Sequence, residues 1–390
     1  MIDSLANKSR ILLIGMLLTL PLMTFGQQRA DFIRPFFGFY GSQSIGTAIG
    51  NATVAAGQLI PGATSNPANI GLSRFGHVQI NFQNNSFSGP SVSHSSTVPG
   101  GIYAIVPVAV YQGGLAFSFG IQKEIDFSNG FLTNNGDANE GGGIYATEAG
   151  ISYEAVKDFY LGGSLRLLRG SNQLSTEGSD SSSLLNPEYK GYYFTFGFLN
   201  RTSPNLNIGA AVDLPAAVDV DDKLTEWTVD RPDDAMSQTW NYTLKRPMVF
   251  RVGASLLYPL WSGFYELEWS DWSGLEFESS QYHKADVAII NNEITRDFKS
   301  GVTHHVGAAA HLPWAPVHLY AGYQYLPAPY GDAYKDDRRQ SVSGGASYLL
   351  NQQFSLHSSL TNYFWSYKNG AGNFDKESNQ MIVFGASLHF

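Results

Sequence analysis

From residue 75 to the end, apolar and polar residues alternate in fourteen stretches, and the gaps between the stretches run long, short, long, short without a break. Successive side chains of a strand point to opposite faces, so this period-2 pattern predicts strands that are apolar on one side only. The predicted strands cover residues 75–86, 100–110, 113–124, 144–155, 158–169, 190–200, 204–216, 246–257, 263–273, 303–312, 316–326, 339–350, 353–365 and 380–390. Long connections at one rim and tight turns at the other are how an outer-membrane barrel is wired, with loops outside and turns in the periplasm. With both barrel ends in the periplasm, the outer connections are 87–99, 125–143, 170–189, 217–245, 274–302, 327–338 and 366–379. The pattern predicts an all-β protein: a 14-stranded antiparallel transmembrane β-barrel over residues 75–390.

The last strand shows the face logic. Ile382, Phe384, Ala386, Leu388 and Phe390 share one side, while Val383, Gly385, Ser387 and His389 share the other. The first strand sets Val78, Ile80 and Phe82 against His77, Gln79, Asn81 and Gln83, and the sixth sets Tyr192, Phe194, Phe196 and Phe198 against Thr195 and Gly197. A soluble sandwich also alternates. However, 25 Phe, 21 Tyr and 7 Trp in a chain with only 15% charged residues suit aromatic girdles at two membrane interfaces. No apolar run after the leader is long enough to span a bilayer as a helix, which leaves strands to do so.

Residues 1–26 carry Lys8 and Arg10, then an apolar run from Ile11 to Phe25, and end on the small Gly26. This is the pattern of a cleaved secretory signal peptide, and it sends the chain through the periplasm to the outer membrane of a Gram-negative cell. Its removal takes away Lys8, Arg10 and Asp3, moving the net charge from −9 to −10. An acidic balance argues against nucleic-acid binding, which needs Lys and Arg to neutralise phosphates. The absence of cysteine excludes disulfides, thiol catalysis and thiolate metal sites. Acidic residues concentrate in 217–245, with Asp219, Asp221, Asp222, Asp230, Asp233 and Asp234, but their spacing matches no EF-hand and predicts a solvated surface loop.

Residues 27–74 hold Gly, Ala, Ser and Asn without sustained alternation, and are too apolar for a disordered tail. They are expected to fold inside the lumen as an N-terminal hatch. Within them stands GNATVAAGQLIPGATSNPANIGL (50–72), a small-residue run ending in Asn66-Pro67-Ala68 just ahead of the first strand. Together with the strand count and YELEWSDWSGL (265–275), this resembles the outer-membrane long-chain fatty-acid transporter family, the FadL/TodX type. The resemblance implies passive uptake of long-chain fatty acids or other hydrophobic small molecules, without cofactor or energy source. In that family the solute is captured in an apolar pocket above the hatch and leaves through a gap in the barrel wall into outer-membrane lipid. It also implies a monomer. Similar barrels serve instead as shuttle subunits of the type IX secretion system, which bind secreted proteins. Phe390 at the end of an amphipathic strand resembles the signal read by the barrel assembly machinery.

In the family the third strand carries the kink that opens the wall. The corresponding stretch here contains Phe117, Phe119 and the lumen-facing Gly120, with no proline after it. Glycine marks bends in strands, yet Gly162, Gly197, Gly209 and Gly253 also face the lumen and can simply make room for the hatch. The lumen-facing charges are Arg166, Arg251, Glu148, Glu154, Asp213, Glu266 and Glu268. Arg166 or Arg251 can hold a ligand carboxylate through a bidentate pair, or can pair with wall carboxylates and anchor the hatch. No metal site is expected: His304 and His305 point to opposite faces, and His311 with His318 supply only two ligands. No G-x-S-x-G elbow or other nucleophile-and-base set points to an enzyme.

Overall fold

The alternation is present in the structure with its polarity inverted relative to a soluble protein. On the first strand Gln79, Asn81 and Gln83 are buried, while Ile80 and Phe82 are exposed on the outside. A surface that turns isoleucine and phenylalanine outward all the way round is stable only against hydrocarbon. The structure is a computed structural model and describes residues 33, 35–36, 43–57, 65–88, 93–127, 138–177, 181–228, 231–329, 339–368 and 374–390. The expected signal peptide, residues 1–26, lies outside the described residues.

One antiparallel sheet holds eighteen strands. They are β1 (His77–Ser88), β2 (Ser93–Val108), β3 (Leu115–Asp126), β4 (Ala138–Val156), β5 (Phe159–Glu177), β6 (Ser181–Leu185), β7 (Glu188–Ser203), β8 (Leu206–Asp213) and β9 (Ala216–Thr228). There follow β10 (Arg231–Arg246), β11 (Val249–Leu257), β12 (Trp261–Asp271), β13 (Glu276–Glu278), β14 (Ser300–His311), β15 (Val317–Leu326), β16 (Arg339–Leu349), β17 (Phe354–Lys368) and β18 (Phe374–His389). β1 pairs with both β2 and β18, which closes the sheet into a barrel. At the seam Gly76 and Phe390 exchange backbone hydrogen bonds of 2.9 and 3.0 Å, and the Phe390 ring faces outward.

The fourteen-strand expectation is corrected: sixteen strands have eight residues or more, and β6 and β13 are short additions. The extra long pair is β9–β10, in the segment taken from its composition to be a solvated loop. Alternation was there to be read, since Ala216, Val218 and Val220 are buried while Ala217, Asp219 and Asp221 are exposed. The run of aspartates masked it. This hairpin branches off the wall, because β8 pairs directly with β11 and Asp213 stands opposite Val249. β9 joins the outer end of β7 at Glu188–Tyr192, and β10 pairs with β13. Outward-facing aspartates on the hairpin place it in water, since charge on a lipid face is costly.

Strands also run further than the sequence pattern indicated. β4 and β5 have 19 residues each, whereas a tilted spanning strand needs about 9–11. The surplus, at 138–143 and 170–177, stands on the outer side. The connection 274–302 holds β13 and a helix, α1 (Lys284–Asp297), which buries Ile290 and Ile294.

Inside the wall lie residues 43–57 and Asn66 with the 3-10 turn Pro67–Leu72, nearly all of them buried. Glycine makes the space for their backbone. A Cβ at Gly162 of β5 would lie 2.4 Å from the Ala68 nitrogen, and one at Gly209 of β8 would lie 2.4 Å from the Val54 oxygen. Across the barrel, a Cβ at Gly322 of β15 would lie 2.1 Å from the Gly50 nitrogen. Contacts to strands on opposite sides of the circuit mean that this segment crosses the lumen.

Candidate functional site

Reading outward along the strands, the lumen has three layers. The lowest is the inner segment against its glycines. Asn66 pins this layer: its amide nitrogen donates to the Val54 and Phe198 carbonyls at 2.7 and 2.9 Å, and its oxygen accepts from the Ala68 N–H at 3.0 Å. Pro67 fits the first position of the 3-10 turn, where no N–H is needed, and Ala68 is fully buried. Asn66→Ala deserts two carbonyls and one N–H in a dry site, and is expected to lower stability by about 3 kcal/mol. Denaturant unfolding in detergent micelles measures it.

One turn of the pleat further out lies a charged layer. Arg166 donates to Glu148 at 2.7 Å and to the Tyr193 hydroxyl at 2.6 Å, and that hydroxyl donates to Glu124 at 2.7 Å. Arg251 holds Asp213 through a two-pronged contact of 3.1 and 2.7 Å and reaches Glu268 with its Nε at 2.8 Å. Arg246 approaches the same Asp213 at 3.4 Å and stacks over the Tyr193 ring. Glu266 accepts the N–H groups of Thr53 and Val54, both at 2.7 Å, fastening the inner segment to β12. Arg166 and Arg251, candidates for a ligand carboxylate, thus both have wall carboxylates on their guanidinium groups. Glu154 stands apart from this layer, accepting the Asp158 N–H at the β4–β5 turn. A cavity of about 120 Å³ separates the charged layer from the inner segment.

The third layer is apolar. Ile125, Ile144, Leu168, Tyr189, Val218 and Leu244 pack with Trp272, Phe277 and the Ile290 and Ile294 side chains of α1. Asn291 docks the helix by bonding both the N–H and the carbonyl of Phe277, at 2.8 and 3.0 Å. Burial, aided by the charge of Asp222, raises the Tyr282 hydroxyl above its ordinary pKa, so this ring packs as a neutral group.

Beside the apolar layer the wall divides. The β2–β3 ladder runs from Val108–Leu115 to Gly101–Gln122. Beyond that point β2 continues to Ser93 paired with β1, while β3 continues to Asp126 paired with β4. Gly101, at φ +155°, sits at a register shift between Asn81 and Phe82. A side chain there would strike the Ile121 carbonyl at 2.5 Å. A recess of about 620 Å³ occupies the divide, between Val98 of β2, Lys123 of β3 and Tyr145 of β4. Below it a groove of about 460 Å³ opens on the outer face, lined by Ile102, Phe119, Ile121, Leu165 and Leu167.

Gly120 lies at the back of this groove, with its ladder intact to Tyr103 and Glu148 on either side. Phe119 is exposed to the outside and Phe117 is half-buried. The divide begins two residues further along, and its marker in the sequence was Pro99-Gly100-Gly101, which strand prediction passed over as an ordinary strand start. Arg246 and Tyr193 were missed because one opened a predicted strand at its very edge and the other lay on an aromatic strand.

No protein-family model matches the chain, and no curated protein matches it in sequence. Solved structures do. A Pseudomonas aeruginosa FadL homologue superposes with a TM-score of 0.67 at 14% identity, covering 91% of this chain and 99% of that one. The Ralstonia pickettii toluene transporter TbuX gives 0.64 at 15% identity over 92% and 100%. The CymD monoaromatic hydrocarbon channel gives 0.65 at 13% identity over 90% and 98%. The chain has the FadL/TodX-type fold. At these identities the likeness is one of architecture.

Proposed function

We propose that the chain is an outer-membrane channel for passive uptake of hydrophobic small molecules, fatty acids or hydrocarbons, which leave sideways between β2 and β3. The observation that carries this reading is the β2–β3 ladder ending at Gly101–Gln122, beside the apolar layer and above the lipid-facing groove. A greasy solute gains roughly 25 cal/mol for each Å² withdrawn from water, so it favours the apolar layer and has no reason to cross the charged one. The inner segment below, described at residues 43–57 and 65–72, serves in this reading as the hatch and leaves the wall as the exit. TbuX and CymD are described as a toluene transporter and a monoaromatic hydrocarbon channel, which agrees with an apolar cargo. Export by the 1–26 leader and assembly through Phe390 complete the picture, with the monomer as the working unit.

The absence of native cysteine permits a clean test. Val98→Cys with Tyr145→Cys, bridged by a cleavable bis-maleimide, is expected to abolish uptake of labelled oleate and toluene, and cleavage of the linker to restore it. Uptake that continues at full rate through the bridged protein rules out the lateral exit.

A further inference from the structure

We infer that Glu266, Glu268 and His305 bind one divalent transition-metal ion on the inner wall, where it ties the lumen-crossing segment to β12 and β14. The three residues meet because the β12–β14 register sets Glu266 directly opposite His305, with Glu268 two positions along the same face. One ligating atom from each lies within 4.8 Å of the others. Oxygen and nitrogen ligands at ~2.0–2.2 Å around a tetrahedral Zn²⁺ sit about 3.4 Å apart, so each donor atom has to close on the ion by up to about an ångström.

The Gly50 carbonyl, nearer to His305 Nδ1 than the Gln324 amide nitrogen at 3.3 Å, favours a proton on Nδ1. The His305 Nδ1 lies 3.0 Å from the Gly50 carbonyl oxygen, which also accepts from the Gln324 amide at 2.9 Å. The Gln324 oxygen in turn accepts from Ser341 at 3.1 Å, which sets the orientation of that amide. With the proton on Nδ1, donated to that carbonyl, Nε2 presents a lone pair. That Nε2 is buried without a hydrogen-bond partner, on a side chain only 4% exposed. An imidazole whose Nδ1–H is held by a backbone carbonyl while Nε2 stays open is arranged as metal-ligating histidines are.

The local charge also calls for a cation. Asp213 and Glu268 share Arg251, and Asp213 has Arg246 besides, whereas Glu266 feels the Arg251 charge but forms no direct ion pair among the described residues. Glu266 spends one oxygen on the Thr53 and Val54 N–H groups, and its second oxygen has no hydrogen-bond partner among the described residues. All three side chains border the cavity of about 120 Å³, which has room for the ion and its waters. Two carboxylates alone would suit Mg²⁺ or Ca²⁺, but the imidazole turns the preference toward Zn²⁺ and its neighbours. Sequence inspection weighed histidine pairs and the aspartates of 217–245 and missed this set, since a trio spanning two strands has no spacing to read.

Detergent-purified protein, stripped with chelator and dialysed against micromolar Zn²⁺, is expected to retain about one ion per chain by mass spectrometry. E268Q and H305Q are each expected to weaken binding by about tenfold or more. X-ray absorption at the zinc edge of the native protein is expected to show a single imidazole among light-atom ligands. Retention well below one ion per chain overturns the site, as does unchanged binding in both variants. Two or more imidazoles in the absorption spectrum would also overturn it and move the ion to His311 with His318, whose rings lie 4.3 Å apart. Folding of the variants is read from heat-modifiable electrophoretic mobility, and if either fails to fold, the native spectrum decides alone.

Discussion

Asp213→Ala lowers the stability of the barrel by about 3–5 kcal/mol, because it leaves the largely buried Arg246 and Arg251 guanidinium groups without their shared carboxylate. Asp213 is fully buried and also accepts from Thr195 at 2.8 Å, so its removal opens a buried polar network. The magnitude comes from stranded charge and not from the lost pair itself, which the triple variant separates. Asp213→Ala with Arg246→Met and Arg251→Met removes the shared carboxylate with both its guanidinium partners, at the cost of the Arg251–Glu268 pair, and is expected to regain part of the loss. Denaturant titrations of the refolded protein in micelles give both values. A triple variant less stable than the single one would show instead that the charged layer is a net source of stability.

Gly322→Val expels the inner segment from its seat on β15. Even the first side-chain carbon would fall 2.1 Å from the Gly50 nitrogen and 2.5 Å from the Ile49 carbonyl carbon, and neither is the end of a side chain that can swing aside. Gly50 holds a left-handed backbone at φ +66° and Asn51 follows at φ +57°, so the turn has little freedom to re-route. With the segment displaced, the hydrogen bonds from His305 and Gln324 to Gly50 are lost and the polar lumen is open to water. The expected outcome is a large rise in ion conductance in planar bilayers, from near silence in the native protein to stable open steps. A variant that remains silent, with a native unfolding transition, would mean that the inner segment is not what closes the axis.

Much of the wall was legible because lipid and lumen enforce strict alternation. Ile382, Phe384 and Leu388 against Val383, Gly385 and Ser387 separate by exposure as the pattern required. Where water takes over from lipid the constraint relaxes, and there expectation and structure part. The hairpin around Val218 and Val220 was hidden by its aspartates, and the outer ends of β4 and β5 by glycine and serine. Gly162 and Gly209 were noted as lumen-facing, and the structure supplies the reason in the backbone atoms of Ala68 and Val54. The site was less legible, because its members meet through register. Nothing in the spacing of Asp213, Arg246 and Arg251 announces that they share one cluster, and nothing along β12 alone reveals that Glu266 faces His305. The wall divide was announced by Pro99-Gly100-Gly101, a bend signal that the neighbouring aromatic strand overshadowed.

The most direct test of the lateral route is to let the cargo mark its own path. A long-chain fatty acid carrying a diazirine near its methyl end, photolysed during uptake and mapped by mass spectrometry, is predicted to label three places in sequence along one line. These are the apolar layer at Ile125, Ile144 and Leu168, the divide at Val98 and Tyr145, and the outer groove at Ile102, Phe119 and Leu167. Labels that skip the divide and groove, and appear instead on residues 43–57 and on the periplasmic turns, would contradict the account and return the solute to an axial path.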